Sequence, residues 1–333
     1  MNLPTTEVSG PPNLYPGFVH FSLRALAPGG AAPCQVRLEA FNPAYGGLHL
    51  VKVMEPGDEI RPPWRQRLLE SGVVHAYVSL TDLDLLLAYL GRNAQELLSQ
   101  ASGDDPQQGY LMVYEHALCA LKAAMLDPRN GRRLGLGAAT VRQLVDSLWD
   151  DQNTRLGLLK ILAKDQELAS HSLNTCLLAV GYACQQGWSR QAAANLGLAM
   201  FYHDLGLVEM GNPGPDDPLG AGLREGARLE KHPEMAASFL AQAPGLDPEV
   251  MAIVLAHHEN LDGSGYPCGL AGDQLSPAVR LARIVDVYET ATSGAAGRPA
   301  LPPFSVLLIM RRELGMWLDL AMLESFVRFL GQF

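Results

Sequence analysis

The chain has 333 residues, 48% of them hydrophobic, and a formal net charge of −10. It is long enough for two domains that each bury a core, and it lacks the clustered Lys and Arg that non-specific duplex binding requires. A small nucleotide remains within reach, because local metal ions can offset an acidic global charge. Five cysteines, Cys34, Cys119, Cys176, Cys184 and Cys268, form no C-x-x-C pair and read as reduced thiols of a cytoplasmic protein. Residues 1–16 contain neither a basic nor an apolar leader stretch, and no uncharged apolar run approaches the roughly 18 residues of a spanning helix. Secretion and membrane insertion are therefore not expected.

In chain order, residues 1–30 are rich in Pro and Gly and read as an extended lead-in. Strands are expected over 36–41, 48–54 and 73–79, with a turn at 55–58 and a helix over 63–70, which makes a small α/β module. From Thr81 the apolar period becomes 3.6: Leu83, Leu85, Leu86, Leu87, Tyr89 and Leu90 predict a helix running toward Ala101. The run Ser102-Gly103-Asp104-Asp105-Pro106 breaks it. Connector helices are expected over about 108–126 and 138–150, and most of the rest reads as helix. The organisation expected is a module over 1–105, connectors over 106–150 and a helical domain over 151–333.

Histidines and aspartates gather in the last part. His171 stands 32 residues before His203-Asp204, His232 follows 29 after His203, and His257-His258 begins 25 after His232, with Asp286 28 residues beyond His258. Such spacing puts each group on its own helix, and a bundle core can collect them around metal. An imidazole and carboxylate set without thiolate suits Fe, Mn or Zn, and Asp204, with two oxygens to share, is the natural bridge. Asp286 lies in the apolar run Val279-Arg280-Leu281-Ala282-Arg283-Ile284-Val285-Asp286-Val287, where an unpaired carboxylate would cost several kcal/mol, so an Arg partner or a metal must compensate it. Glu167 precedes His171 by one helical turn, which puts both on one face. It reads equally as a metal ligand or a solvated carboxylate. Isolated His20, His49, His75 and His116 read as hydrogen-bonded structural residues. Residues 262–272, with four glycines and one proline, read as a rigid loop placing Tyr266 beside the paired histidines. An aromatic ring there could wall a purine pocket.

The series His171, His203-Asp204, His232, His257-His258, Gly265-Tyr266-Pro267, Asp286 resembles the HD-GYP domain, a branch of the HD metal-dependent phosphohydrolases whose members hydrolyse cyclic di-GMP. The resemblance spans roughly residues 150–333. It implies an α+β chain in which an all-α HD-type bundle follows the small α/β module. It implies a cyclic dinucleotide phosphodiesterase with two or three divalent ions, Fe or Mn before Zn. His171, His203, Asp204 and Asp286 would hold one ion, Asp204, His232, His257 and His258 another, and Glu167 would complete a third site. His203 and Asp204 would be catalytic, and Gly265, Tyr266, Pro267 and Arg298 would meet the cyclic dinucleotide. The N-terminal module would serve a homodimer or a signalling-protein partner.

The sequence departs from the family pattern at three places. The usual His-Asp-x-Gly-Lys reads His203-Asp204-Leu205-Gly206-Leu207, Glu289-Thr290 replaces Asp-Ala, and Arg298-Pro299 is followed by Ala300 rather than Tyr. Loss of a transition-state cation can lower rate on the order of 10²-fold or more without removing the metals. A second reading therefore stands beside the first: a degenerate HD-GYP protein that binds metal and signals through partners.

Overall fold

The structure is a computed structural model that describes residues 15–43, 46–99, 106–163, 165, 167–211, 229–243, 245–294 and 299–333. Two compact units divide between Leu86 and Leu87. That division falls inside a helix, 19 residues before the boundary at 105 read from the sequence.

The first unit contains a four-stranded sheet of order β1-β4-β2-β3, formed by β1 (Phe18–Ser22), β2 (Val36–Asn42), β3 (Gly47–Met54) and β4 (His75–Ser79). All its pairings are antiparallel. Strand β1 lies within the stretch read as a lead-in. Its five residues alternate strictly, burying Val19 and Phe21, but the surrounding Pro and Gly hid so short a period. Helix α1 (Pro62–Glu70) opens on two prolines and buries no side chain.

The second unit is helical. Helix α2 (Leu83–Ser99) contains the division, and α3 (Pro106–Leu126) and α4 (Gly131–Asp150) follow it. Helix α4 starts seven residues earlier than expected, because the Asn130 side chain accepts a hydrogen bond from the Arg133 N–H and caps it. Asp151 caps α5 (Gln152–Lys160) in the same way. Helix α6 (Leu168–Gln185) is buried without interruption from Leu168 to Ala183. It forms the bundle's axis, packed against α3, α7 (Arg190–Tyr202) and α10 (Pro277–Ser293). A helix buried all round can carry polar groups only where partners meet them. The remaining helices are α8 (His232–Leu240), α9 (Pro248–Ala256), α11 (Pro303–Arg312) and α12 (Leu320–Leu330). No helix among the described residues is long and apolar enough to cross a membrane.

Candidate metal centre

The expected ligands converge from different helices. His171 lies one turn into α6, His203 and Asp204 at the end of α7, His232 at the start of α8, His257 and His258 at the end of α9, and Asp286 within α10. All seven are buried. One donor group joins Asp204, His232, His257 and His258, and a second joins His171, His203 and Asp204. Asp204 divides its oxygens between them. Oδ1 lies 3.2 Å from His232 Nε2 and 3.7 Å from His257 Nε2, while Oδ2 lies 3.3 Å from His203 Nε2 and 3.5 Å from His171 Nε2. Asp286 Oδ1 approaches His171 Nε2 at 3.4 Å.

The backbone sets the tautomers. Nδ1 of His203, His232 and His257 donates to the carbonyls of Met200, Leu229 and Val254 at 2.7, 2.7 and 2.6 Å. A neutral ring with Nδ1–H carries a lone pair on Nε2. Nε2 atoms nevertheless face one another at 3.1 Å, in His232 with His257 and in His171 with His203, and Asp204 Oδ1 is buried without a hydrogen-bond donor among the described residues. Lone pairs and carboxylate oxygen converging this closely call for protons or metal cations between them. The donor set fits divalent metal ions.

Protonation differs between the groups. Burial alone would push the His171 imidazole down, but the Glu289 charge and the contacts with Asp286, Glu289 and Asp204 hold it well above the ordinary histidine value. A proton there stands in for a cation. Burial pushes His257 down to about 4, aided by the charges of His203 and His232 and opposed by Asp204. Burial would raise Asp204, yet the His203 charge and its histidine contacts keep it well below the usual carboxylate range.

Of the two compensations that the sequence left open for Asp286, the structure shows the arginine: Arg283 Nη1 lies 3.4 Å from its Oδ2, while its other oxygen faces His171. The same Nη1 sits 3.0 Å from His258 Nδ1. Arginine has no acceptor, so this contact places the neutral His258 hydrogen on Nε2, which has no hydrogen-bond partner among the described residues. His258 thus differs from His203, His232 and His257, and ligation through its Nε2 requires Arg283 to release Nδ1.

Glu167 stands apart from both donor groups. It is the residue before α6, and its carboxylate lies 3.1 Å from Lys122 Nζ. Leu207 is fully buried. Arg298 lies outside the described residues.

Two close approaches fix the local chain. A Cβ on Gly206 would lie 2.1 Å from the His232 carbonyl oxygen, so glycine lets the 3₁₀ turn Leu205–Met210 carry Asp204 against α8. A Cβ on Gly265 would lie 2.4 Å from Asn260 N and from Glu259 Cα. The loop therefore rests directly on the backbone that follows the paired histidines. Tyr266, half-buried, stacks on His258 with ring centroids 4.7 Å apart, next to Pro267.

Several supporting residues escaped the sequence reading. Glu259, 1% exposed, accepts the backbone N–H groups of Cys268 and Leu270 at 2.7 and 3.0 Å and pins the loop. Its carboxylate directly after His257-His258 was the available signal. Glu289 Oε2 accepts from His171 Nδ1 at 2.5 Å, one turn beyond Asp286 on α10.

Residues 158–322 match the family described as "HD domain". The chain carries an HD domain. It is 30% identical over 240 residues to a Pseudomonas aeruginosa protein named "Cyclic di-GMP phosphodiesterase PA4108", covering 68% of this chain and 58% of that protein. It is 29% identical over 214 residues to a Vibrio cholerae protein named "3'3'-cGAMP-specific phosphodiesterase 2", covering 60% of this chain and 41% of that one. The aligned segment thus spans about half the length of these relatives. The fold is that of a solved structure described as "Bd1817, a HDG"Y"P protein from Bdellovibrio bacteriovorus", with a TM-score of 0.73 and 16% identity, covering 94% of this chain and 99% of that chain.

Proposed function

We propose that this protein is a cytoplasmic metal-dependent phosphodiesterase of the HD-GYP type that opens cyclic di-GMP or a related cyclic dinucleotide to its linear form. One observation carries the reading: the two oxygens of Asp204 face two separate imidazole groups, three of whose rings are held by backbone carbonyls with Nε2 turned to the centre. His171, His203, Asp204 and Asp286 would hold one ion and Asp204, His232, His257 and His258 the other, His258 joining once Arg283 pairs wholly with Asp286 and Asn260. Fe or Mn suits this set first and Zn next. When bound, such ions supply Lewis-acid activation of water and of the phosphodiester. Asp204 would serve both ions with its one carboxylate, and Asp286 adds negative charge beside His171. Glu167, on Lys122, would have to leave that partner to complete a third site.

In this reading Gly265, Tyr266 and Pro267 border the nucleotide, with Arg298 as a phosphate contact. The division into a module over 1–105, connectors over 106–150 and a catalytic domain over 151–333 carries the roles: the module takes an input from a partner or a second copy. Leu207 stands where the family has lysine, so that position supplies no cation to the phosphate charge.

Anaerobic purification, elemental analysis and chromatography of cyclic di-GMP and 3'3'-cGAMP with added Fe²⁺ or Mn²⁺ test the activity. Linear product that disappears with chelator is expected. Bound metal with no product from either nucleotide would leave the binding-only reading in its place.

Tyr266 offers a second test. Because its ring stacks on His258, Tyr266→Ala is expected to weaken cyclic dinucleotide binding by roughly five-fold to a hundred-fold, the range for losing a base-stacking ring. Tyr266→Phe, which keeps the stack, should retain both affinity and metal. If Tyr266→Ala leaves calorimetric nucleotide affinity intact, the ring only scaffolds His258.

A further inference from the structure

A buried chain of hydrogen bonds leaves the metal centre and ends on α3. His171 Nδ1 donates to Glu289 Oε2 at 2.5 Å. The other Glu289 oxygen accepts from Asn174 Nδ2 at 2.8 Å and from Ser293 Oγ at 2.6 Å. The same Asn174 nitrogen donates to the Ala163 carbonyl at 2.8 Å, and Asn174 Oδ1 accepts from the Tyr114 hydroxyl at 3.0 Å. Tyr114, Asn174, His171 and Glu289 are 4%, 1%, 1% and 2% exposed.

These contacts leave Asn174 no alternative orientation. Its oxygen meets a hydroxyl donor, and its nitrogen meets a carbonyl and a carboxylate; turning the amide over would set oxygen against both acceptors. Asn174 thereby fixes one oxygen of Glu289, which leaves the other to hold His171 with Nε2 toward Asp204 and Asp286. Glu289 stands where the family has the shorter Asp. A glutamate has one more rotatable bond to restrain, and Asn174 and Ser293 supply that restraint.

We infer that Asn174 and Tyr114 are positioning residues for the ion held by His171, and that through them the occupancy of that ion is coupled to helix α3. The inference rests on the metal-centre reading above. A histidine ligand oriented by a carboxylate typically loses 10–100-fold in metal affinity when that support is removed. The effect belongs to one ion. His203, His232 and His257 take their support from backbone carbonyls on α7, before α8 and on α9 instead.

The test uses the full chain, stripped of metal and titrated with Mn²⁺ against a chelator, for the wild type, Asn174→Ala, Tyr114→Phe and the double variant. Asn174→Ala is expected to weaken one Mn²⁺ by about 10–100-fold and to leave the other in place. Tyr114→Phe removes one oxygen and keeps the ring in the core, so it folds even if Asn174→Ala does not. It should weaken the same ion several-fold, an effect that vanishes in the Asn174→Ala background because the two changes cut one chain. Equal weakening of both ions, no weakening, or a Tyr114→Phe effect undiminished by Asn174→Ala would each overturn the relay while the metal centre stands. A wild-type chain that takes up no Mn²⁺ would remove the metal reading itself, and the relay with it.

Discussion

Asp204→Ala is expected to release both ions and to abolish the proposed cyclic dinucleotide hydrolysis, the largest functional loss from any one substitution at this centre. Its two oxygens are the only carboxylate atoms that face both imidazole groups among the described residues. Stability should follow metal rather than sequence alone. An ion present at 100 times its dissociation constant adds about 2.7 kcal/mol to the folded state, and each kcal/mol moves the melting temperature by about 2–4 °C in a domain of this size. Melting curves with Mn²⁺ and with chelator give the check: the gap between wild type and Asp204→Ala should open with metal and narrow without it. A gap of the same size in both conditions would mean that Asp204 acts as an ordinary buried partner of the histidines, and the two-ion centre would have to be abandoned.

The convergence of the histidines was legible because each rare motif falls near a helix end, and a bundle with α6 at its centre can bring such ends together. Asp286 was legible for the opposite reason: a carboxylate amid Val285, Val287 and Ile284 needs compensation wherever it folds. Glu167 shows the limit of that logic. One helical turn puts it on the same face as His171, but it precedes α6 and pairs with Lys122 on α3, a helix the spacing could not locate. The same holds for Arg283. Its place three residues before Asp286 predicts their contact, whereas its contact with His258 depends on how α9 and α10 pack. Strand β1 was missed because five alternating residues among Pro and Gly carry too little periodicity, and only pairing with β4 makes it a strand. Glu259 and Glu289 sit beside recognised motifs, yet Glu259's role depends on how the following loop folds back onto it and Glu289's on partners more than a hundred residues away.

Gly265→Ala should be strongly destabilising even though glycine's conformational freedom is not at issue, since Gly265 is absent from the positive-φ glycines. Space decides. The added methyl would stand 2.4 Å from Asn260 N and Glu259 Cα and 2.5 Å from the His258 carbonyl oxygen, all backbone atoms with no side chain to swing aside. Either the loop lifts or the end of α9 shifts, and each route disturbs His258, whose ring carries the Tyr266 stack. Overpacking of this kind costs about 1–3 kcal/mol, and here it should also lower metal held by the His232, His257 and His258 group. Gly135→Ala is the matched control, for nothing lies within 4 Å of its Cβ position on α4. Alanine there should stabilise by roughly 0.4–1 kcal/mol. Thermal melting and elemental analysis of the two variants therefore give opposite signs for one chemical change. If Gly265→Ala melts with the wild type and keeps its metal, the loop does not rest on the ligand backbone, and the placement of Tyr266 against the site falls with it.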